Sequence, residues 1–171
     1  MIIRREHPRD HAAVRRVHTA AFRLLGGEGE VVEARLTDDL REDAGFLPHL
    51  SLVAVDGEDL VGAVIATRAW LEPLGIPVLG LGPLGVRPDR QRTGVGTVLV
   101  HALLAVAEAA DERRVALLGS PAYYRRFDFL PATELGISPP DPAWAEHFQA
   151  RSLKGPPVRG AFRYAEPFRR V

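Results

Sequence analysis

The residues best placed to do chemistry are Gln91-Arg92-Thr93-Gly94-Val95-Gly96-Thr97. They join an apolar run, Val78 to Val86, to an amphipathic run, Val95 to Ala110. A strand therefore feeds a glycine-bearing turn that opens a helix. N–H groups at a helix start have no partner within the helix, and the positive end of its dipole faces outward there. Gly94 and Gly96 carry no side chain, so a phosphate can come close to the backbone. The pattern points to an anion site, and to a diphosphate in particular.

The elements that must hold this loop follow from hydrophobic periodicity. Ile2 to Arg5 reads as a short strand, and residues 9–25 as a helix with Val14, Val17, Ala21 and Leu25 on one face. Gly26-Gly27-Glu28-Gly29 breaks the chain before a second helix from Glu30 to Arg41. Leu50 to Val55 and Leu60 to Trp70 read as strands around an Asp56-Gly57 hairpin turn. After a turn at Leu74 to Pro77 comes the fourth strand, Val78 to Val86. The helix over 94–111 carries one apolar stripe, Val95, Val98, Leu99, Ala102, Leu103 and Val106. Arg114 to Gly119 is a fifth strand, and Pro121 to Phe127 a short helix with proline near its start. Beyond Pro131 the signal fades into a proline loop at Pro139, Pro140 and Pro142, with a last strand over Gly160 to Ala165. Early hairpins and a later strand–helix–strand crossover predict an α/β fold. Its sheet is mixed and mostly antiparallel, with helices on both faces.

Composition excludes several classes. A chain of 171 residues, 46% of them hydrophobic, suits one domain over 1–171 with a buried core; the core is read as 1–131 and the tail as 132–171. Zero formal net charge argues against nucleic acid as a partner, which needs clustered positive charge. With no cysteine, thiolate zinc sites and a cysteine acyl-enzyme are excluded. No histidine spacing supports a metal, so none is expected. The first eight residues have no signal-peptide core, and no apolar run reaches membrane-spanning length. A cytoplasmic protein that does not engage membranes is the expectation.

Residues 91–96 match the pyrophosphate-loop pattern Gln/Arg-x-x-Gly-x-Gly/Ala, preceded by Leu84-Gly85-Val86 and followed by Pro121-Ala-Tyr-Tyr-Arg-Arg-Phe-Asp-Phe129. In this element order the chain resembles the GNAT superfamily of acyl-CoA-dependent N-acyltransferases. It is most similar to a bacterial subgroup of predicted N-acetyltransferases. The resemblance covers residues 1–131 and implies acetyl-CoA as cosubstrate. It places the CoA diphosphate on the backbone of Gln91, Arg92, Thr93, Gly94, Val95 and Gly96, with the Thr93 and Thr97 hydroxyls as further donors. It pairs the pantetheine arm with Leu84, Gly85 and Val86, one of whose N–H groups polarises the acetyl carbonyl. It assigns Tyr124 to protonation of the departing sulfur, where a phenol suits a thiol of similar pKa; packing is the competing role for Tyr124 and for Tyr123. Asp128 stands where the family has glycine, a substitution a left-handed backbone tolerates less well.

The remaining candidates stay open at this level. Glu30 and Glu33 stand where relatives bind the acceptor, but they also suit a solvated helix start. His49 is a candidate base, and a water chain is the alternative. Arg90, Arg92, Arg125 and Arg126 are candidates for CoA phosphates. Trp70, Trp144 and the prolines of 139–157 are core or lid candidates. The resemblance implies a small-molecule or peptide amine as acceptor. A homodimer through the late strands is plausible, and a non-catalytic acyl-CoA sensing module is the second reading. A nucleotide-binding domain of another type is the third and weakest reading, since the loop lacks the Gly-Lys-Ser/Thr of a P-loop and the third glycine of a dinucleotide fingerprint.

Overall fold

The computed structural model describes residues 1–23 and 31–170. Strands β1 (Ile2–Arg5), β2 (Ser51–Asp56), β3 (Asp59–Glu72), β4 (Ile76–Val86), β5 (Arg114–Leu118), β8 (Phe148–Ser152) and β6 (Leu130–Pro131) lie in the order β1-β2-β3-β4-β5-β8-β6. Two further strands, β7 (Ile137–Ser138) and β9 (Gly160–Arg163), pair with each other, and β9 also pairs with the outer end of β3. The sheet is mixed and mostly antiparallel, as expected; β4–β5 and β7–β9 are its parallel pairs among the described residues. The helices are α1 (His11–Arg23), α2 (Val32–Glu42), α3 (Val95–Ala109) and α4 (Pro121–Tyr124).

β3 is buried on both faces, and its period of two sorts the helices. Val64 and Ala66 belong to the cluster built on α3. Ala63 packs with Val14 of α1, and Ile65 with Leu36 and Leu40 of α2. Leu99 and Leu103 of α3 are fully buried, each contributing about 1.5–3 kcal/mol. The other face is tied down by charge as well. Arg41 of α2 holds Glu6 at 2.6 Å with both side chains buried, and the Ser51 hydroxyl donates to the same carboxylate. Removing one partner of such a pair costs about 3–5 kcal/mol.

Several predicted boundaries move. The first helix begins at His11, because Pro8–Asp10 forms a 3-10 turn in which Asp10 accepts from the His7 N–H and from Arg4. The second helix begins at Val32; Glu30 lies outside the described residues, as do residues 24–25 of the first predicted helix. β3 and β4 run closer together than the predicted turn allows, since Ile76 and Pro77 already pair with Leu71 and Trp70. The tail departs most from expectation. The expected last strand shortens to Gly160–Arg163, and β6, β7 and β8 are added. β8 supplies β5 with its second neighbour.

Candidate active site

The loop after β4 is built by local hydrogen bonds. Gln91 Nε2 donates to the Val86 carbonyl at 3.2 Å, and the Thr93 hydroxyl donates to the Arg90 carbonyl at 2.7 Å. Two residues take left-handed backbone, Arg92 at φ 60° and Gly94 at φ 95°. Gly94 is the N-cap of α3, and no side chain caps that end. The Val98 N–H is the first to turn back, to the Gly94 carbonyl at 3.0 Å. The N–H groups of Val95, Gly96 and Thr97 therefore have no acceptor within the helix. The Val95 side chain is buried, so this residue offers only its backbone. Gly96 leaves room for a neighbour: a Cβ there would stand 2.7 Å from the Tyr123 Oη. An uncapped helix start of fifteen residues beside arginine is an anion-binding arrangement. A cavity of about 690 Å³ opens on it, lined by Leu84, Val86, Gln91, Arg92, Gly94, Gly96, Thr97, Tyr123 and Arg126.

The second half of the site comes from strand divergence. β4 and β5 pair only at Leu79/Val115 and Gly80/Ala116. β4 then follows β3, with a bulge around Gly82-Pro83 between the Val64/Leu84 and Ala66/Leu81 pairs. β5 instead follows β8 through Leu118 and Phe148. The inner edges are left facing a cleft of about 600 Å³, lined by Gly82, Pro83 and Leu84 on one side and Leu118, Gly119 and Ser120 on the other. Phe22 of α1 and Leu84 line both cavities, so the two adjoin.

The two tyrosines divide between these cavities. Tyr123 faces the α3 start, where its hydroxyl is hydrogen-bonded to Thr97 and burial raises its pKa. Tyr124 faces the strand split, and burial holds its hydroxyl far above the usual phenol range, with Tyr123 adding to the shift. It is therefore a phenol that stays protonated at neutral pH. Their rings meet edge to face at 4.9 Å, and Phe127 and Phe129, both buried, pack against them. Asp128 forms the turn between these phenylalanines at φ 60°, with its N–H bonded to the Arg125 carbonyl at 3.0 Å. Asp128, where the resemblance leads one to expect glycine, thus takes a left-handed backbone.

Other sequence candidates are sorted by position. Arg92 and Arg126 line the α3 cavity, and Arg126 lies 4.8 Å above the Tyr123 ring. Arg90 is turned away into an ion pair with Asp56, and Arg125 lines neither cavity. Glu33 and Trp144 line the strand-split cavity. His49 is exposed on the 3-10 turn before β2 and lines neither cavity. Trp70 sits under the Arg163 guanidinium at 4.4 Å, away from the cleft. Among the described residues no group of three or more histidine and carboxylate side chains could hold a metal ion. None of their helices is long and apolar enough to cross a membrane.

Sequence reasoning missed several contributors, three of them on α1 and the tail. Tyr164 and Phe168, from the tail, stack at 4.3 Å and wall the strand-split cavity. His18, on the buried face of α1, packs behind β4, where a Cβ on Gly85 would stand 2.5 Å from its Nδ1. Neither ring nitrogen has a partner, and burial lowers the pKa to about 4. Gly85 thus has a packing reason to be glycine, independent of any ligand. The Tyr164-x-x-x-Phe168 spacing was the available signal for the tail wall.

Comparison with known proteins agrees with this geometry. The acetyltransferase (GNAT) family matches residues 12–129. The uncharacterised N-acetyltransferase YjhQ of Escherichia coli K12 is 33% identical over 166 residues, covering 92% of this chain and 88% of its own. A GNAT family acetyltransferase of Brucella melitensis, solved with acetyl-CoA, is 31% identical with a TM-score of 0.81, over 98% of this chain and 97% of that one. The Escherichia coli N-acetyltransferase YhbS, solved with CoA, is 29% identical with a TM-score of 0.87, over 98% and 91%. On this evidence the chain belongs to the GNAT family of acetyltransferases.

Proposed function

We propose that this protein is an acetyl-CoA-dependent N-acetyltransferase that moves the acetyl group directly to a primary amine. The observation that carries the reading is the split between β4 and β5, which adjoins the uncapped start of α3. The residues suit the cosubstrate: a diphosphate matches three open N–H groups, Arg92 and Arg126, and an extended arm matches the free edge of Leu84 to Val86. The complexes of the Brucella and YhbS proteins support the same reading.

Bound acetyl-CoA supplies an acetyl group activated as a thioester. The Arg92 to Thr97 backbone holds the diphosphate end. The edge of β4 aligns the arm and turns one N–H toward the acetyl carbonyl, where developing negative charge is stabilised. A neutral amine attacks that carbon: the N–C bond forms, the C–S bond breaks, and the amine loses one proton. Tyr124 delivers one proton to the departing sulfur and recovers one from solvent, so the balance closes. Holding both reactants in one cleft accounts for much of the acceleration. Glu33, Tyr124 and Tyr164 are the titratable groups among the described lining of the split. Tyr164 is kept protonated by its burial, and the amine proton passes to water.

The test is acetyl transfer to a panel of amines by the wild type and by Tyr124→Phe. The variant is expected to lose about 10²–10³-fold in kcat while its CoA affinity stays within about twofold. Unchanged kcat would remove Tyr124 from the mechanism. A wild type that binds CoA but acetylates no amine would turn the reading to a sensing module.

A further inference from the structure

Resting on the transferase reading, we infer that the strand-split cavity selects a small primary amine with an aryl or apolar body, its ammonium drawn in by Glu33. Aromatic side chains from α1, α4 and the tail line the cavity: Phe22, Tyr124, Trp144, and the stacked Tyr164 and Phe168. Val32 and Leu118 form part of the lining, yet they are 43% and 45% exposed. Exposed aliphatic side chains gathered at one cleft are the mark of a surface that a ligand covers. Glu33 is the one charged side chain among the described lining residues, and it has no ion-pair partner among them. At about 600 Å³ the space is of the size used for small ligands.

This chemistry also says what is refused. A polyamine or aminoglycoside carries further ammonium groups, for which the described lining offers no second carboxylate. A hydroxyl-rich amine loses hydrogen bonds to water and regains few from a lining whose polar side chains are Glu33, Ser120, Tyr124, Tyr164 and the Trp144 indole N–H. An acidic acceptor meets Glu33 as a like charge. The amine arrives as its ammonium, is attracted by Glu33, and releases that proton to water before the neutral amine attacks.

The experiment measures kcat/KM for 2-phenylethylamine, hexylamine, butylamine, ethanolamine and spermidine at saturating acetyl-CoA. The expected result is a gain of about threefold or more per added methylene in the alkyl series. 2-Phenylethylamine should exceed ethanolamine and spermidine by at least about 30-fold. Glu33→Gln should raise the KM for 2-phenylethylamine about tenfold with kcat and CoA affinity nearly unchanged, a split that a folding defect would not produce. Spermidine or ethanolamine used as well as 2-phenylethylamine, or an unchanged KM in Glu33→Gln, would overturn the inference. If no amine is acetylated, the transferase reading falls, and calorimetry of 2-phenylethylamine against CoA-saturated protein decides this one. Saturable binding weakened in Glu33→Gln upholds it, and no binding overturns it.

Discussion

The two ends of the cleft are made by opposite means. The proposed phosphate end is a contiguous stretch, residues 91–97, which offers backbone N–H groups, and its shape is set by two left-handed residues and two local hydrogen bonds. The acyl end has no contiguous motif. Its wall is gathered from α1, α2, β4, β5, α4 and the tail, and its binding surface is apolar side chain. The lesson is that a charged, chemically fixed group is met by rigid backbone, whereas the part that distinguishes acceptors is met by side chains that sequence change can alter one at a time.

The strand shared by both ends gives the largest effect. His18 packs against Gly85 of β4 with neither nitrogen partnered, and burial, reinforced by the Arg41 charge and opposed by Asp38, pushes its pKa from 6.5 to about 4. The unfolded chain therefore takes up the proton first. Stability is full above pH 6.5 and is lost as pH falls toward 4, by about 3 kcal/mol in all. Asp10, held near 2 by its hydrogen bonds with Arg4, titrates below that window. Thermal melting across this range should show the slope in the wild type and lose it in His18→Phe. An unchanged slope would assign it to other groups.

Two variants should separate the ends. Arg92→Ala combined with Arg126→Ala is expected to weaken CoA binding about tenfold at low salt and less at high salt, with the acceptor KM unmoved. Trp144→Ala is expected to raise the KM of an aryl amine about fivefold and leave CoA affinity alone. Crossed effects in either variant would mean that the ends are coupled. The smallest effect belongs to Asp128→Gly. Relief of a left-handed aspartate at φ 60° should stabilise the fold by about 0.5 kcal/mol, read as a small rise in Tm with unchanged kcat.

How much was legible in the sequence follows the same division. The strand–turn–helix arrangement around residues 91–97 was readable because its glycines, its strand and its helix are neighbours in the chain. Tyr124 was singled out by resemblance, and its separation from Tyr123 is visible only in three dimensions. The acyl end was not readable as a site. Phe22, Leu118, Tyr164 and Phe168 each look like ordinary core residues, and only the early parting of β4 from β5 makes them a wall. β8 was missed for a physical reason. Gln149 and Arg151 break its apolar character, but Gln149 is buried with Nε2 bonded to the Gly119 carbonyl at 2.9 Å, and Arg151 reaches the Phe127 carbonyl. The alternation of Phe148 and Ala150 was its remaining signal. Arg90, a candidate for a phosphate, is ion-paired with Asp56 of the β2–β3 hairpin, a partner thirty-four residues away that the sequence did not reveal.

Calorimetric titration of acetyl-CoA into the wild type and into Gly96→Trp tests the central claim most directly. An indole at position 96 would occupy the approach to the α3 start and displace the Tyr123 hydroxyl, which already stands 2.7 Å from a Cβ there. The account predicts micromolar binding by the wild type, weakened at least about 100-fold in the variant, the equivalent of two charge-assisted hydrogen bonds, with both proteins melting cooperatively. Equal binding by the two proteins, or none by a folded wild type, would contradict it.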